Sequence, residues 1–263
     1  MSIRTKTQTA VSVWRNFGAA EVLRIPFRKF ASRNSGGPTN ETPRGGYKDL
    51  VLFTAPNHEF LAACGRFQKD AERINSYTEY LKDFSSRTKK PRNGFFGEIY
   101  DLGAGLGFVL FDLIETEKPQ KVIETGVAAG ASSNLILDRL STNGTGVLIS
   151  VDITSKVGEL VDERLKNRWT ISVLPKLFKK KAFLRILSSH PDAIIFLHDS
   201  DHSIQWQIFE ISSVIKSIPG VKHILVDDVT LEFENYVLTN LPNWKMVVID
   251  EGRKLSGYLS RKN

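Results

Sequence analysis

The stretch that most constrains this chain is residues 121–133, K-V-I-E-T-G-V-A-A-G-A-S-S. Val122 and Ile123 form the apolar pair of a short buried strand, and Glu124 stands at its end. Gly126 supplies a turn whose backbone angles a side chain would resist, and Gly130 keeps the loop thin. Residues 131–137 open a helix. A strand, a glycine turn and a helix in that order begin a nucleotide-type α/β fold, with a ligand expected over the helix N-terminus.

The rest of the chain repeats the alternation. Apolar runs at 147–151, 169–173, 193–197 and 221–226 read as further strands, the 193–197 run being fully apolar as in the middle of a parallel sheet. Helices are expected at 56–87, 106–114, 159–167, 176–187, 204–218 and 231–241 from recurrence at three and four residues. Segments 244–249 and 255–259 fit a terminal antiparallel pair. The fold class is therefore α/β, a doubly wound, mostly parallel sheet with a helical extension at its N-terminal side.

Charge divides the chain. Residues 1–50 hold nine Lys/Arg against three Asp/Glu, which accounts for +6 of the net +7 over 263 residues. A near-neutral remainder does not support nucleic-acid binding by the folded domain. Residues 35–46, with four glycines and two prolines, read as a linker. The organisation expected is a basic arm and linker (1–50), a helical lead-in (51–118) and a ligand-binding domain (119–263). The arm scatters Val11, Trp14, Phe17, Val22, Ile25 and Phe27 among basic residues, so an acidic partner, a membrane surface, packing on the domain and a homo-oligomer contact all stay open for it. One cysteine, Cys64, excludes an internal disulfide framework and points to a reducing compartment, most simply the cytoplasm. No apolar run approaches the roughly 20 residues of a membrane span.

Every conspicuous acid falls just after an apolar run: Glu124, Asp152, Asp199, Asp227 and Asp228. In an open parallel sheet, ligands sit outside those carboxyl ends. Asp152 lies about 20 residues past the glycines, where an acid can bind ribose hydroxyls. A pyrophosphate site wants G-x-G-x-x-G, and here Ala128 replaces the middle glycine.

The form E-x-G-x-x-x-G instead resembles motif I of the class I methyltransferases, which bind S-adenosylmethionine (SAM), a cofactor with no phosphate. Asp199, then His202 three residues on, then Asp227-Asp228, resembles the metal-dependent O-methyltransferases of the catechol, caffeoyl-CoA and macrocin types. The phrase F-L-H-D-S-D-H-S is also similar to uncharacterised bacterial methyltransferases. The likeness covers about residues 105–260. It implies a seven-stranded Rossmann-like sheet and SAM contacts from Glu124, Gly126, Ala128, Gly130, Ser132, Asp152 and Asp199. It further implies a divalent cation such as Mg²⁺ on Asp199, Asp227 and Asp228, and His202 as the base that removes a hydroxyl proton. The acceptor would be a small hydroxylated molecule, a sugar or natural product. Carboxylates suit such a hard cation, and histidine suits proton transfer near neutrality. A SAM- or nucleoside-binding module without turnover is the alternative; Ala128 argues against an NAD-type oxidoreductase.

Overall fold

The computed structural model describes residues 46–66, 71–87, 102–252 and 254–262. The basic arm up to residue 45 and nearly all of the linker lie outside the described residues.

In chain order the elements are β1 (Leu50–Leu52), α1 (His58–Ala63), α2 (Ala71–Arg87), α3 (Ala104–Glu117), β2 (Lys121–Thr125), α4 (Ala131–Thr142) and β3 (Val147–Asp152). A 3₁₀ turn (Glu163–Arg168) leads into β4 (Trp169–Val173), α5 (Lys179–Ser188), β5 (Ile195–His198) and α6 (Ile204–Ser217). Then come β6 (His223–Val226), α7 (Leu231–Asn240), β7 (Trp244–Asp250) and β8 (Leu255–Arg261). The strands make one sheet in the order β1-β7-β8-β6-β5-β2-β3-β4. All pairs are parallel except those of β8, which runs against both β6 and β7.

The seven strands expected are present, and β1 adds an eighth at the edge. A run of three residues, L-V-L, is too short to announce itself as a strand; Asp49 O accepts from Val248 N at 2.8 Å, which starts the pairing. The helix expected over 159–167 is replaced by the shorter 3₁₀ turn. Its first residues are committed elsewhere, because Gly158 N and Leu160 N donate to Ala128 O and Ala129 O, both at 2.9 Å.

Successive strand residues feed opposite faces, as a pleat requires. Val122, Leu148, Ile195 and Leu225 pack under α1 to α4, with Phe60, Tyr77, Leu106 and Ile136. Their neighbours Ile123, Ile149, Phe196 and Ile224 pack under α5 to α7, with Phe183, Ile211 and Phe233. α3 is buried from Gly105 through Ile114, so the one acid of that run must be neutralised. Asp112 takes Arg66 Nε at 2.6 Å and Arg73 Nη1 at 2.5 Å. Among the described residues, no helix is long and apolar enough to cross a membrane.

The strand order reverses between β2 and β5, the first strands of the two outward-wound halves. A crevice at the carboxyl end of that reversal is where open α/β sheets bind ligands.

Candidate functional site

The hydrogen-bond ladder runs on past the strand ends and aligns the loops that follow. Gly126 N donates to Val151 O, Asp199 N to Thr125 O, and Asp227 N to His198 O, each at 2.9 Å. Asp152, Gly126, Asp199 and Asp227 therefore stand in one row along the carboxyl edge. Neighbouring strands are about 4.8 Å apart, so this row is short enough for one small ligand to span.

The glycine turn is built to touch the acidic loop. Gly126 has φ of 79°, and a Cβ placed on it would lie 1.9 Å from Asp199 O. Two constraints, a left-handed backbone and a backbone neighbour, thus demand glycine there. Gly130 is pressed against the 158–161 segment in the same way, with φ of 93° and Gly158 Cα 2.7 Å from its missing Cβ. Ala128 carries φ of 47° between them, a strained setting for a residue with a side chain.

Glu124 is sealed from solvent at 0% exposure. Its carboxylate accepts from Ser132 Oγ at 3.3 Å, from Ser150 Oγ at 2.5 Å and from Ser133 Oγ. Burial pushes its pKa up to about 7 against those three hydrogen bonds. Glu124 and Ser132 thus spend their polar atoms on each other, holding β2 to the first turn of α4. Asp152 is more open. Its Oδ2 accepts from Val127 N at 2.9 Å, and its Oδ1 from Ile153 N at 2.6 Å and Thr154 N at 3.2 Å. It clamps the glycine turn, and its oxygens keep further lone pairs for a hydroxyl donor.

At the other end of the row, Asp199, His202 and Asp227 each bring one ligand atom within 4.8 Å of the others. Burial, then Asp227, pushes the Asp199 carboxyl well above its usual range. Asp228 adjoins that trio on the His202 side. Its Oδ2 lies 3.7 Å from His202 Nε2, and both side chains are open, at 42% and 38% exposure. Burial and then Asp227 raise its pKa, and its backbone is left-handed at φ of 52°.

Two contributors have no counterpart in the sequence reading. Lys254, in the turn between β7 and β8, holds Asp227 Oδ1 at 2.8 Å and Oδ2 at 2.9 Å. Ser256 Oγ adds a hydrogen bond to Asp227 Oδ1 at 3.3 Å. Burial would lower the Lys254 ammonium, but Asp227 outweighs it and its pKa is raised. The donor types of the trio suit a hard cation. Its charge does not, because Asp227 is already paired with an ammonium.

The second contributor is Glu210 on α6, which accepts from Thr125 Oγ1 at 2.7 Å, Ser200 Oγ at 3.1 Å and Trp206 Nε1 at 2.6 Å. His198 Nδ1 lies 2.6 Å from the same carboxylate. This buried knot fixes the end of β2 to the end of β5, directly beneath the site. A glutamate in the middle of a helix reads as solvated, and only the i, i+4 spacing of Trp206 and Glu210 on one helix face would have suggested otherwise.

No family model matches the chain, and no curated protein matches it. Among solved structures, it is similar to the SAH-bound methyltransferase PaMTH1 of Podospora anserina, at 10% identity over 75% of this chain and 98% of that one, TM-score 0.49. It is similar to an O-methyltransferase from Bacillus cereus in complex with SAH, at 13% identity over 77% of this chain and 94% of that one, TM-score 0.46. A third is the MycE methyltransferase of the mycinamycin biosynthetic pathway, in complex with Mg and SAH, at 16% identity over 77% of this chain and 57% of that one, TM-score 0.49. At such identity a similar chain layout does not carry a shared activity.

Proposed function

We propose that this chain is a SAM-dependent methyltransferase that methylates a hydroxyl group of a small molecule. The observation that carries the reading is the contact of Gly126 with the backbone of Asp199, which sets the glycine turn and the acidic loop side by side at the carboxyl edge, where an open sheet binds its ligand. SAM would lie over the turn at 126–130, with its ribose hydroxyls donating to Asp152. The sulfonium methyl would then face the Asp199 end of the row. SAM held there would supply its methyl group to the acceptor oxygen, with loss of the carbon–sulfur bond and release of neutral S-adenosylhomocysteine. The acceptor's proton goes to the imidazole of His202, beside which Asp228 stands as a counter-charge to the imidazolium formed. Most of the acceleration would come from alignment, since displacement at a methyl needs the three reacting centres in line.

A divalent cation here would need Asp199, His202 and Asp227 as its ligands. Asp227 would first have to leave Lys254. No step of the transfer is assigned to such an ion.

The test is methyl transfer from labelled SAM to a panel of hydroxylated small molecules. Once an acceptor is found, His202→Ala should lower turnover by about 10²–10⁴-fold, the usual contribution of a general base, with SAM affinity unchanged. Full turnover in that variant removes His202 from the chemistry. Binding of SAM with no transfer to any acceptor supports the module without turnover.

A further inference from the structure

The antiparallel strand β8 decides what the acidic cluster meets. β6 ends at Val226, which pairs with Gly257 of β8, so residues before Gly257 run out beside Asp227 and Asp228. Val229 N donates to Leu255 O at 2.9 Å, continuing the pairing past the acids. Lys254 is therefore delivered to the carboxyl edge by the one strand of this sheet that starts there instead of ending there.

The turn that carries it is held in place. Gly252, with φ of 81°, donates its N–H to Asp250 Oδ1 at 2.8 Å. Glu251 N donates to Lys254 O at 3.1 Å, closing the turn. Glu251 Oε1 accepts from Leu106 N at 2.9 Å, which places a carboxylate in the first turn of α3, where a helix favours negative charge. Lys254 Nζ, with its side chain 21% exposed, then sits across both oxygens of Asp227.

We propose that Lys254 is a built-in cation: its ammonium occupies the place a divalent metal would take among Asp199, Asp227 and His202, and it keeps metal out. An ammonium within 3 Å of a carboxylate repels an entering dication strongly in a partly desolvated site. It also uses both Asp227 oxygens that a metal would need. Lys254 is thereby a positioning residue, which holds Asp227 and balances the acids without touching the reacting atoms.

Metal uptake is read without cofactor or acceptor, so a failure here leaves methyl transfer standing. Mn²⁺ is titrated calorimetrically into the full chain, into Lys254→Met and into Asp199→Asn. The parent should take up Mn²⁺ no more tightly than Asp199→Asn does. Lys254→Met should bind it at least about tenfold more tightly than the parent, since a unit charge has left the first contact of the site. Mn²⁺ binding by the parent that Asp199→Asn abolishes, or a Lys254→Met variant that gains nothing, overturns the proposal. If Lys254→Met does not fold, thermal melting of the parent decides. A transition unmoved by millimolar Mn²⁺ supports the built-in cation, and a rise that Asp199→Asn removes refutes it.

Discussion

Glu124→Gln should make the protein more stable at neutral pH, and the gain should vanish in acid. Glu124 is fully enclosed, and its pKa rises from an ordinary 4.5 to about 7 because burial outweighs three serine hydrogen bonds. A carboxyl whose pKa is higher in the folded state binds protons more tightly there. Its contribution is thus most favourable below pH 4.5, is lost as pH rises towards 7, and is constant above that. With 1.36 kcal/mol per pKa unit, the loss between pH 5 and pH 8 comes to roughly 2–3 kcal/mol. Glutamine has the same shape and does not titrate. The hydroxyls of Ser132, Ser133 and Ser150 can rotate to accept from its amide as well as donate to its carbonyl, so no buried polar group is orphaned. Urea unfolding of both proteins at pH 5 and pH 8 measures the effect. The stability of the variant relative to the parent should rise by roughly 2–3 kcal/mol between the two pH values. A difference that does not move with pH would refute the reasoning, and would mean that water or an unseen cation reaches Glu124.

Gly126→Ala and Gly144→Ala separate backbone strain from contact. Both glycines are left-handed, with φ of 79° and 71°, but a Cβ on Gly144 meets nothing within 4 Å while one on Gly126 strikes Asp199 O. Gly144→Ala should cost about 1–2 kcal/mol, the left-handed penalty alone. Gly126→Ala should cost clearly more and should also lose SAM binding, as thermal melts and calorimetry would register. Equal costs would show that the turn and the acidic loop are not in contact. Glu210→Ala should cost roughly 3–5 kcal/mol, as expected for stripping one partner from a buried polar pair, with denaturant unfolding as the check.

The sheet was legible because parallel strands buried on both faces read as apolar runs, and the glycine and acid positions follow from those runs. β1 was not legible, since three residues carry no periodicity and their strand character comes from pairing with β7. The 159–167 region was misread because its backbone donors serve the glycine turn, a partner thirty residues away in sequence. Within the site, what the runs could place was position: Asp152, Asp199 and Asp227 stand at the strand ends. What stayed hidden comes from elements that arrive from elsewhere. Glu210 reaches the strand ends from a helix, and Lys254 arrives on a reversed strand whose register only the folded sheet defines.

The central claim is that the crevice between the glycine turn and the acidic loop binds SAM through Asp152, and calorimetry of SAM against the parent and Asp152→Ala tests it most directly. The parent should bind one SAM per chain. The variant should bind it more weakly by roughly 1.5–3 kcal/mol, or about tenfold to 150-fold, the range for hydrogen bonds to a charged acceptor. A parent that ignores SAM, or a folded Asp152→Ala that binds it as tightly as the parent, would contradict the account.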